Sequence, residues 1–310
     1  MYFKHNVTLA PYTTFKIGGR ALLFVEVSGP MELAEAMETA SREGLPVFIL
    51  GGGSNILFSD KGFDGLVIRI IDGGMSVKPE GRIIAGAGIP LQDILRTAAE
   101  NGLTGLETLA GIPGSFGGAI RGNAGAFGND IGSHIVSVKT FDQKTGMIKE
   151  WRSKDCCFGY RKSFFKGHPE TIILSAVIGL AADGVVVDMN RIMKETVAKR
   201  EEKHSQTALC AGSFFMNPVV ENKKLQKEFE AEARAACRDG KIPAGWLIDH
   251  VGLRGKTIGG AMVSEEHPNY IVNTGNAKAE DVVILSSLIK TRVRDELGVI
   301  LSEEVSMVGF

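Results

Sequence analysis

Three short segments hold the residues of this chain best suited to proton and charge chemistry. In Ala211-Gly212-Ser213-Phe214-Phe215-Met216-Asn217-Pro218 a hydroxyl sits on a small-residue bend beside two aromatic side chains. Phe215 occupies the place of the last glycine of a G-x-S-x-G elbow, which excludes that nucleophile geometry. Ser213 is therefore either a hydroxyl presented on a sharp bend or a turn cap against an aromatic core. In Phe158-Gly159-Tyr160-Arg161-Lys162-Ser163-Phe164-Phe165 a guanidinium lies among aromatic rings. Arg161 there is either an anion clamp or a stacked structural arginine. Glu303-Glu304 lies between Leu301 and Val305, where the pattern predicts a strand. Alternation then turns one glutamate inward, as a candidate acid, and the other to solvent.

Two glycine-rich stretches suggest a different task. Gly51-Gly52-Gly53-Ser54-Asn55 follows the apolar run Leu45–Leu50. Gly111-Ile112-Pro113-Gly114-Ser115-Phe116-Gly117-Gly118-Ala119 is followed closely by Asn123-Ala124-Gly125-Ala126-Phe127-Gly128. Glycine contributes no packing and loses much entropy on folding, so a ligand lying against bare backbone is the usual compensation. Successive main-chain N–H groups form an anion-binding concavity, and a diphosphate is its natural occupant. A hinge or a cluster of tight turns is the alternative. Neither stretch is a Rossmann fingerprint: after Gly86-Ala87-Gly88, Leu91 stands where the last glycine belongs, and Gly111-Ile112-Pro113 lacks the second glycine.

The elements that must position these segments alternate between strand and helix. Ala21–Val27, Leu45–Leu50, Gly65–Ile70 and Arg82–Ala87 read as strands, the second of them buried, followed later by His134–Phe141, Met147–Trp151 and Thr171–Leu180. Residues 31–43 place Leu33, Ala36, Met37 and Ala40 on one helical face before Gly44, and residues 91–100 do the same with Leu91, Ile94, Leu95 and Ala98. A charged helix over 188–204 is the candidate domain junction, with Arg200 and Lys203 one turn apart. Two more helices are predicted over 222–238 and 277–297, the latter with a stripe of Val282, Leu285, Ile289 and Val293 that stops at Gly298. The order is that of an α+β protein with mixed sheet rather than repeated βαβ units.

At 310 residues the chain has room for two domains. Its net charge of −1 provides no global field for nucleic acid or a membrane surface. The start, Met-Tyr-Phe-Lys-His-Asn, has no apolar core, and no run of about 18 apolar residues occurs, so a soluble, cytoplasmic protein is expected. Cys156, Cys157, Cys210 and Cys237 show no C-x-x-C or zinc spacing, and the six histidines are scattered. Reduced cysteines and no metal site are expected.

Taken together, these segments resemble the UDP-N-acetylenolpyruvoylglucosamine reductase (MurB) family, flavoenzymes of peptidoglycan precursor synthesis. The resemblance rests on Thr13-Thr14-Phe15-Lys16-Ile17-Gly18-Gly19, the two glycine-rich stretches, Tyr160-Arg161-Lys162-Ser163 and Ala211-Gly212-Ser213-Phe214-Phe215. Gly245-Trp246-Leu247-Ile248-Asp249, Asn273 and Glu304-Val305 complete it, in this order over nearly the whole chain. It implies an FAD-binding domain of the p-cresol methylhydroxylase/vanillyl-alcohol oxidase type plus a C-terminal α+β substrate domain. The implied boundaries are 1–197 for the FAD-binding domain (subdomains of about 1–70 and 71–197), 198–301 for the substrate domain, and 302–310 for a strand returning to the active site. The short span between Tyr160-Arg161 and Ser213 is that of the family's shorter subtype, which lacks a tyrosine-bearing loop.

The resemblance also implies an activity: NADPH-driven, FAD-dependent reduction of a UDP-linked amino sugar enolpyruvyl ether to UDP-N-acetylmuramate by a monomer with no nucleic acid or membrane partner. Through it the chain would serve cell wall biogenesis, cell shape, cell cycle and cell division. By resemblance Arg161 is the cation for the enolate, Glu304 the acid, and Ser213 the donor of a proton to the α-carbon. The implied cofactor contacts are Gly51, Gly52, Gly53, Ser54, Asn55, Gly111, Ile112, Pro113, Gly114, Ser115, Gly117, Gly118, Asn123, Gly125, Ala126 and Arg200. Tyr160, Lys203 and Asn217 are implied substrate contacts, and no metal is implied. Met216, Ser205, Leu209, Ser302 and Ser306 depart from residues common in the family, but Arg161, Ser213 and Glu304 are all present. A flavin oxidase of the same fold superfamily and a non-catalytic nucleotide-binding homologue are the alternatives.

Overall fold

Leu33, Ala36, Met37 and Ala40 form the buried face of the helix Pro30–Glu43, and Leu91, Ile94, Leu95 and Ala98 that of the helix Leu91–Glu100. Apolar residues repeating every three to four positions leave each helix a single face to bury. These faces pack into a core that also takes Leu66, Ile68, Ile83, Phe116 and Ile178. In the computed structural model, which describes residues 1–202 and 207–310, this core fills one of two compact units, made of Met1–Val7, Ala21–Gly52 and Asp64–Glu202. Its first sheet has the order Lys4–Thr8, Arg20–Val27, Phe63–Ile70, Val47–Leu50, the last two parallel. Its second is antiparallel, in the order Ile148–Arg152, Ile135–Asp142, Thr171–Gly179, Arg82–Gly86, Met75–Lys78. The run expected as a buried strand over Leu45–Leu50 is shorter, and only its Leu50 is buried. Val47–Leu50 lies at the sheet edge with one strand neighbour, so its middle residues keep part of their surface.

The second unit comprises Thr8–Arg20, Gly53–Phe63 and Lys203–Phe310. Its antiparallel sheet has the order Cys210–Ser213, Tyr270–Asn273, Ala261–Val263, Thr257–Ile258. The helix Ala279–Leu297 buries Val282, Leu285, Ile289 and Val293 as its stripe requires. They join Phe15, Leu57, Phe214, Phe215 and Leu247 in a separate core. The expected division at 197/198 does not foresee that Thr8–Arg20 and Gly53–Phe63 belong with this unit.

Other boundaries differ for local reasons. The helix expected over 222–238 ends at Ala233, because Arg234 takes a left-handed φ of 49°. The charged helix runs Val186–Glu201; the remainder of its expected span, at Lys203 and His204, lies outside the described residues. The strand expected around Glu303-Glu304 forms further on, at Ser306–Val308, parallel to Ile56–Phe58. Glu303 makes only an isolated bridge with Phe215, and its carboxylate pairs with Lys290 at 2.8 Å rather than facing inward or standing free in solvent. Among the described residues no helix is long and apolar enough to cross a membrane, and no disulfide joins any of the four cysteines. Glu228, Glu232 and His250 lie close enough to share a cation, a grouping that spacing along the chain did not reveal. His250 lies between the two carboxylates, its Nε2 3.7 Å from Glu228 and its Nδ1 3.8 Å from Glu232.

Candidate active site

In the first unit the two glycine-rich stretches meet backbone to backbone. A Cβ at Gly52 would lie 2.5 Å from Gly114 Cα and 2.7 Å from Ser115 N, and one at Gly51 would lie 2.5 Å from Ser115 Oγ. At Gly52 the neighbours are backbone, so no side chain can be inserted and the glycine is required by close approach, whereas at Gly51 a side chain would have to turn the Ser115 hydroxyl aside. Ser115 caps the helix Phe116–Gly122, its hydroxyl accepting from Gly118 N at 3.4 Å. A Cβ at Gly118 would meet nothing nearer than that hydroxyl, also at 3.4 Å. The result is a side-chain-free surface at a helix start, which fits the diphosphate of a dinucleotide. The glycine-rich run is not, however, a continuous row of donors for a ligand. Gly111 N–H donates to Gln92 Oε1, Ile112 N–H to Leu109 O, Phe116 N–H to Ile89 O and Gly117 N–H to Ala87 O. At these positions the absence of a side chain matters more than the N–H.

Asn123 also has a structural task. It is 1 % exposed, donates to Gly159 O at 2.8 Å and accepts from Gly132 N at 2.9 Å. Both ends of its amide thus tie loops together. Arg200, near the end of Val186–Glu201, packs its Nε and Cδ 3.2 Å from where a Gly111 Cβ would lie. Gly125 and Ala126 form a short strand paired with Asn129–Asp130.

Arg161 sits in the same unit at the tip of a tight turn closed by the mutual Gly159–Lys162 backbone bonds. Its φ of 54° is left-handed, a conformation that costs a branched-off side chain about 1 kcal/mol or more and is kept where the surroundings enforce it. The half-buried guanidinium donates to Gly125 O at 3.1 Å and lies 5.5 Å from the Tyr160 ring. Lys166 Nζ donates to Arg161 O at 3.1 Å, which holds the turn from behind. Tyr160 itself is 48 % exposed.

In the second unit Ser213 ends the strand Cys210–Ser213, where the register with Tyr270–Asn273 is broken between Cys210 and Ser213. Gly212, at φ 75°, takes up the irregularity that only glycine accommodates cheaply, and it leaves Ser213 half-buried. Below it the rings of Phe214 and Phe215, each 1 % exposed, anchor the bend in the core. Asn269 then holds the chain: its amide accepts from Phe215 N at 3.0 Å and donates to Phe215 O at 2.8 Å. Glu304 is attached to the same bend, its N–H donating to Phe214 O at 2.8 Å. Asn217 Oδ1 accepts from Ala244 N at 2.9 Å, at the start of Ala244–His250. Burial pushes the neighbouring Cys210 thiol above its ordinary value, so it is not a thiolate nucleophile.

Comparison with known proteins bears on both units. Residues 204–308 match the model of the UDP-N-acetylenolpyruvoylglucosamine reductase C-terminal domain, and residues 21–151 match an FAD binding domain. A UDP-N-acetylenolpyruvoylglucosamine reductase of Solibacter usitatus is 39 % identical over 304 residues, covering 98 % of this chain and 96 % of that protein. UDP-N-acetylenolpyruvoylglucosamine reductase 1 of Bacillus cereus is 35 % identical over 305 residues, covering 98 % and 94 %. The chain belongs to the UDP-N-acetylenolpyruvoylglucosamine reductase family. The crystal structure of the Thermus caldophilus reductase (MurB) covers 99 % of this chain and 100 % of its own, with a TM-score of 0.79 at 32 % identity. As a member of this family the chain is an oxidoreductase with an FAD-binding domain.

Of the residues expected at the site, Gly51, Gly52, Gly111, Ile112, Pro113, Gly114, Ser115, Gly117, Gly118, Asn123, Gly125, Ala126, Tyr160, Arg161 and Arg200 belong to the first unit. Gly53, Ser54, Asn55, Ser213, Asn217 and Glu304 belong to the second. Lys203 lies outside the described residues. Sequence reasoning missed Asn269, whose signal is slight: a carboxamide between Pro268 and Tyr270 just ahead of an apolar run. It also missed Thr14, whose hydroxyl donates to Cys210 O at 2.6 Å and so fixes the start of the serine strand.

Proposed function

We propose that the protein reduces UDP-N-acetyl-enolpyruvoylglucosamine to UDP-N-acetylmuramate, with FAD as its resident cofactor and NADPH as reductant. It would do so as a cytoplasmic monomer supplying peptidoglycan precursors for cell wall growth and division. The observation that carries this reading is the Glu304 N–H bond to Phe214 O at 2.8 Å, which ties the proposed acid to the bend bearing the proposed proton donor. Bound FAD supplies the centre that accepts hydride from NADPH and delivers it to the enolpyruvyl β-carbon.

Hydride addition there leaves negative charge spread from the α-carbon into the carboxylate. A fixed cation and an acid at those oxygens stabilise it, most strongly where water is excluded. Arg161, oriented by its bond to Gly125 O, is the cation. Glu304 is the acid. Ser213 Oγ gives its proton to the α-carbon; a serine hydroxyl is a weak acid, so the rate depends on close placement against a basic enolate. Asn217 has its oxygen engaged by Ala244 N, so it holds substrate through its amide N–H groups. Tyr160 and Lys203 contribute to the same binding. Arg200 contributes positive charge on the cofactor side.

The test is an anaerobic visible spectrum of the purified protein. NADPH should bleach the flavin bands, and the enolpyruvyl sugar nucleotide should restore them with no oxygen present. Flavin that is reoxidised by oxygen alone, or a protein that holds no flavin, contradicts the reading.

A further inference from the structure

We propose that Asn55 is a positioning residue for Glu304. Sequence reasoning gave Asn55 to the cofactor, as the end of the first glycine-rich turn, but its side chain is directed elsewhere. Asn55 Nδ2 donates to Glu304 O at 3.0 Å, and Asn55 O accepts from Ser306 N at 3.0 Å. One residue therefore grips the main chain on both sides of Val305. Beyond it the register is fixed, since Ser306 pairs with Ile56 and the two short strands run on in parallel.

Glu304 is thereby held at both of its backbone polar groups. Its N–H goes to Phe214 O, one residue from Ser213, and its C=O takes the Asn55 amide. The first bond uses backbone only and does not depend on the side chain at residue 55. The second exists because residue 55 carries a donor of this length. Losing it frees the Glu304 carbonyl to turn, and the carboxyl group moves with the peptide plane. Displacement of a reacting group by about 1 Å can slow a reaction about 100-fold. The inference rests on the reading of Glu304 as the acid, and it predicts an effect confined to the half of the reaction in which substrate is reduced.

Asn55→Asp is the near-isosteric test: it puts an oxygen where the donor was and keeps the backbone bond that Asn55 O accepts from Ser306 N. In the full-length flavin-loaded enzyme, Asn55→Asp should keep its FAD content and its rate of flavin reduction by NADPH. Reoxidation by the enolpyruvyl sugar nucleotide should slow about 10- to 100-fold, in kcat rather than KM. The decisive comparison is a double-mutant cycle. In a Glu304→Ala background, Asn55→Asp should cause no further slowing, because it acts only through the glutamate. Should the aspartate variant fail to fold, Asn55→Ala enters the same cycle. Loss of flavin, slowing of both half-reactions alike, an additive loss with Glu304→Ala, or wild-type kinetics each overturn the inference. A wild-type enzyme whose reduced flavin ignores the substrate overturns the functional reading first and the inference with it, and is recognised before any variant is made.

Discussion

The glycine-rich surface of the first unit and the serine bend of the second are built by opposite means. At Gly51–Gly52 and Gly114–Ser115 main chain lies on main chain, and the arrangement depends on what is missing, since a Gly52 Cβ would lie 2.5 Å from Gly114 Cα. At Ser213 the chain is held by carboxamides. Asn269 bonds both polar groups of Phe215, Asn55 holds the Glu304 carbonyl, and Asn273 ties Phe15 O at 3.0 Å. A surface for a large, fixed cofactor needs shape, which bare backbone supplies without rotamers. Residues proposed to move a proton would need orientation, and a two-ended amide fixes two backbone groups at once. The first region should therefore fail when a methyl group is added, and the second when an amide is removed.

Ser213→Ala separates the regions most sharply, because it leaves the glycine surface untouched. Reoxidation of the flavin by substrate should fall by about 1,000-fold, within the range for loss of a positioned proton donor, with flavin reduction by NADPH unchanged. Equal losses in both half-reactions, read by stopped-flow absorbance, contradict the role given to Ser213. Gly52→Ala is the converse. The added methyl group forces two backbones apart, so stability should fall by about 3 kcal/mol and FAD should be lost on dialysis. An alanine variant that keeps its flavin and its melting temperature would mean that the two turns can separate freely.

The parts of this design that were legible in sequence are those with a local signature. The stripes of Pro30–Glu43 and Ala279–Leu297 name their own buried faces, and the glycine runs announce that side chains are excluded. Pairing over long distances leaves no such mark. The expected strand at Glu303-Glu304 is displaced to Ser306–Val308, because its partner is Ile56–Phe58, and Asn55 lies 249 positions from the residue it holds. The same limit hid the grouping of His250 with Glu228 and Glu232. Carboxamides are harder still, for asparagine is equally at home in a turn, and nothing in the sequence around Asn123 announces that its side chain, 1 % exposed, ties Gly159 to Gly132. Arg161, Ser213 and the Glu303-Glu304 pair stood out by residue type and local pattern, whereas the roles expected of Arg161, Ser213 and Glu304 came from the family resemblance.

Removing an amide from the second region should cost less than adding a methyl group to the first. Asn269→Ala strips partners from the buried N–H and C=O of Phe215, a residue 1 % exposed. A loss of about 2 kcal/mol is expected. The effect should appear in thermal melting of the protein at every pH between about 5 and 8, since neither partner titrates there. A loss that varies strongly across this range would point to a charge in the bend.

The smallest expected effect tests whether the amides of the second region matter as neutral groups. Asp281, in the first turn of Ala279–Leu297, is a carboxylate in the same kind of role, accepting from Lys278 N at 3.0 Å and Gly260 N at 3.1 Å. The Lys278 N–H foremost, and that of Gly260 with it, hold its carboxyl below the usual aspartate value. A depressed folded-state value means that the charged form stabilises the fold. That contribution is complete above the unfolded value of about 3.9 and is lost as the pH falls through the folded one. Asp281→Asn keeps an acceptor but removes the charge, so it should cost about 1 kcal/mol at pH 7. The difference from wild type should shrink as the pH drops below about 4, whereas that of Asn269→Ala should not follow the same curve. If the two variants show the same pH dependence, the brace at Asp281 works by shape alone, and the contrast between charged and neutral supports within this unit disappears.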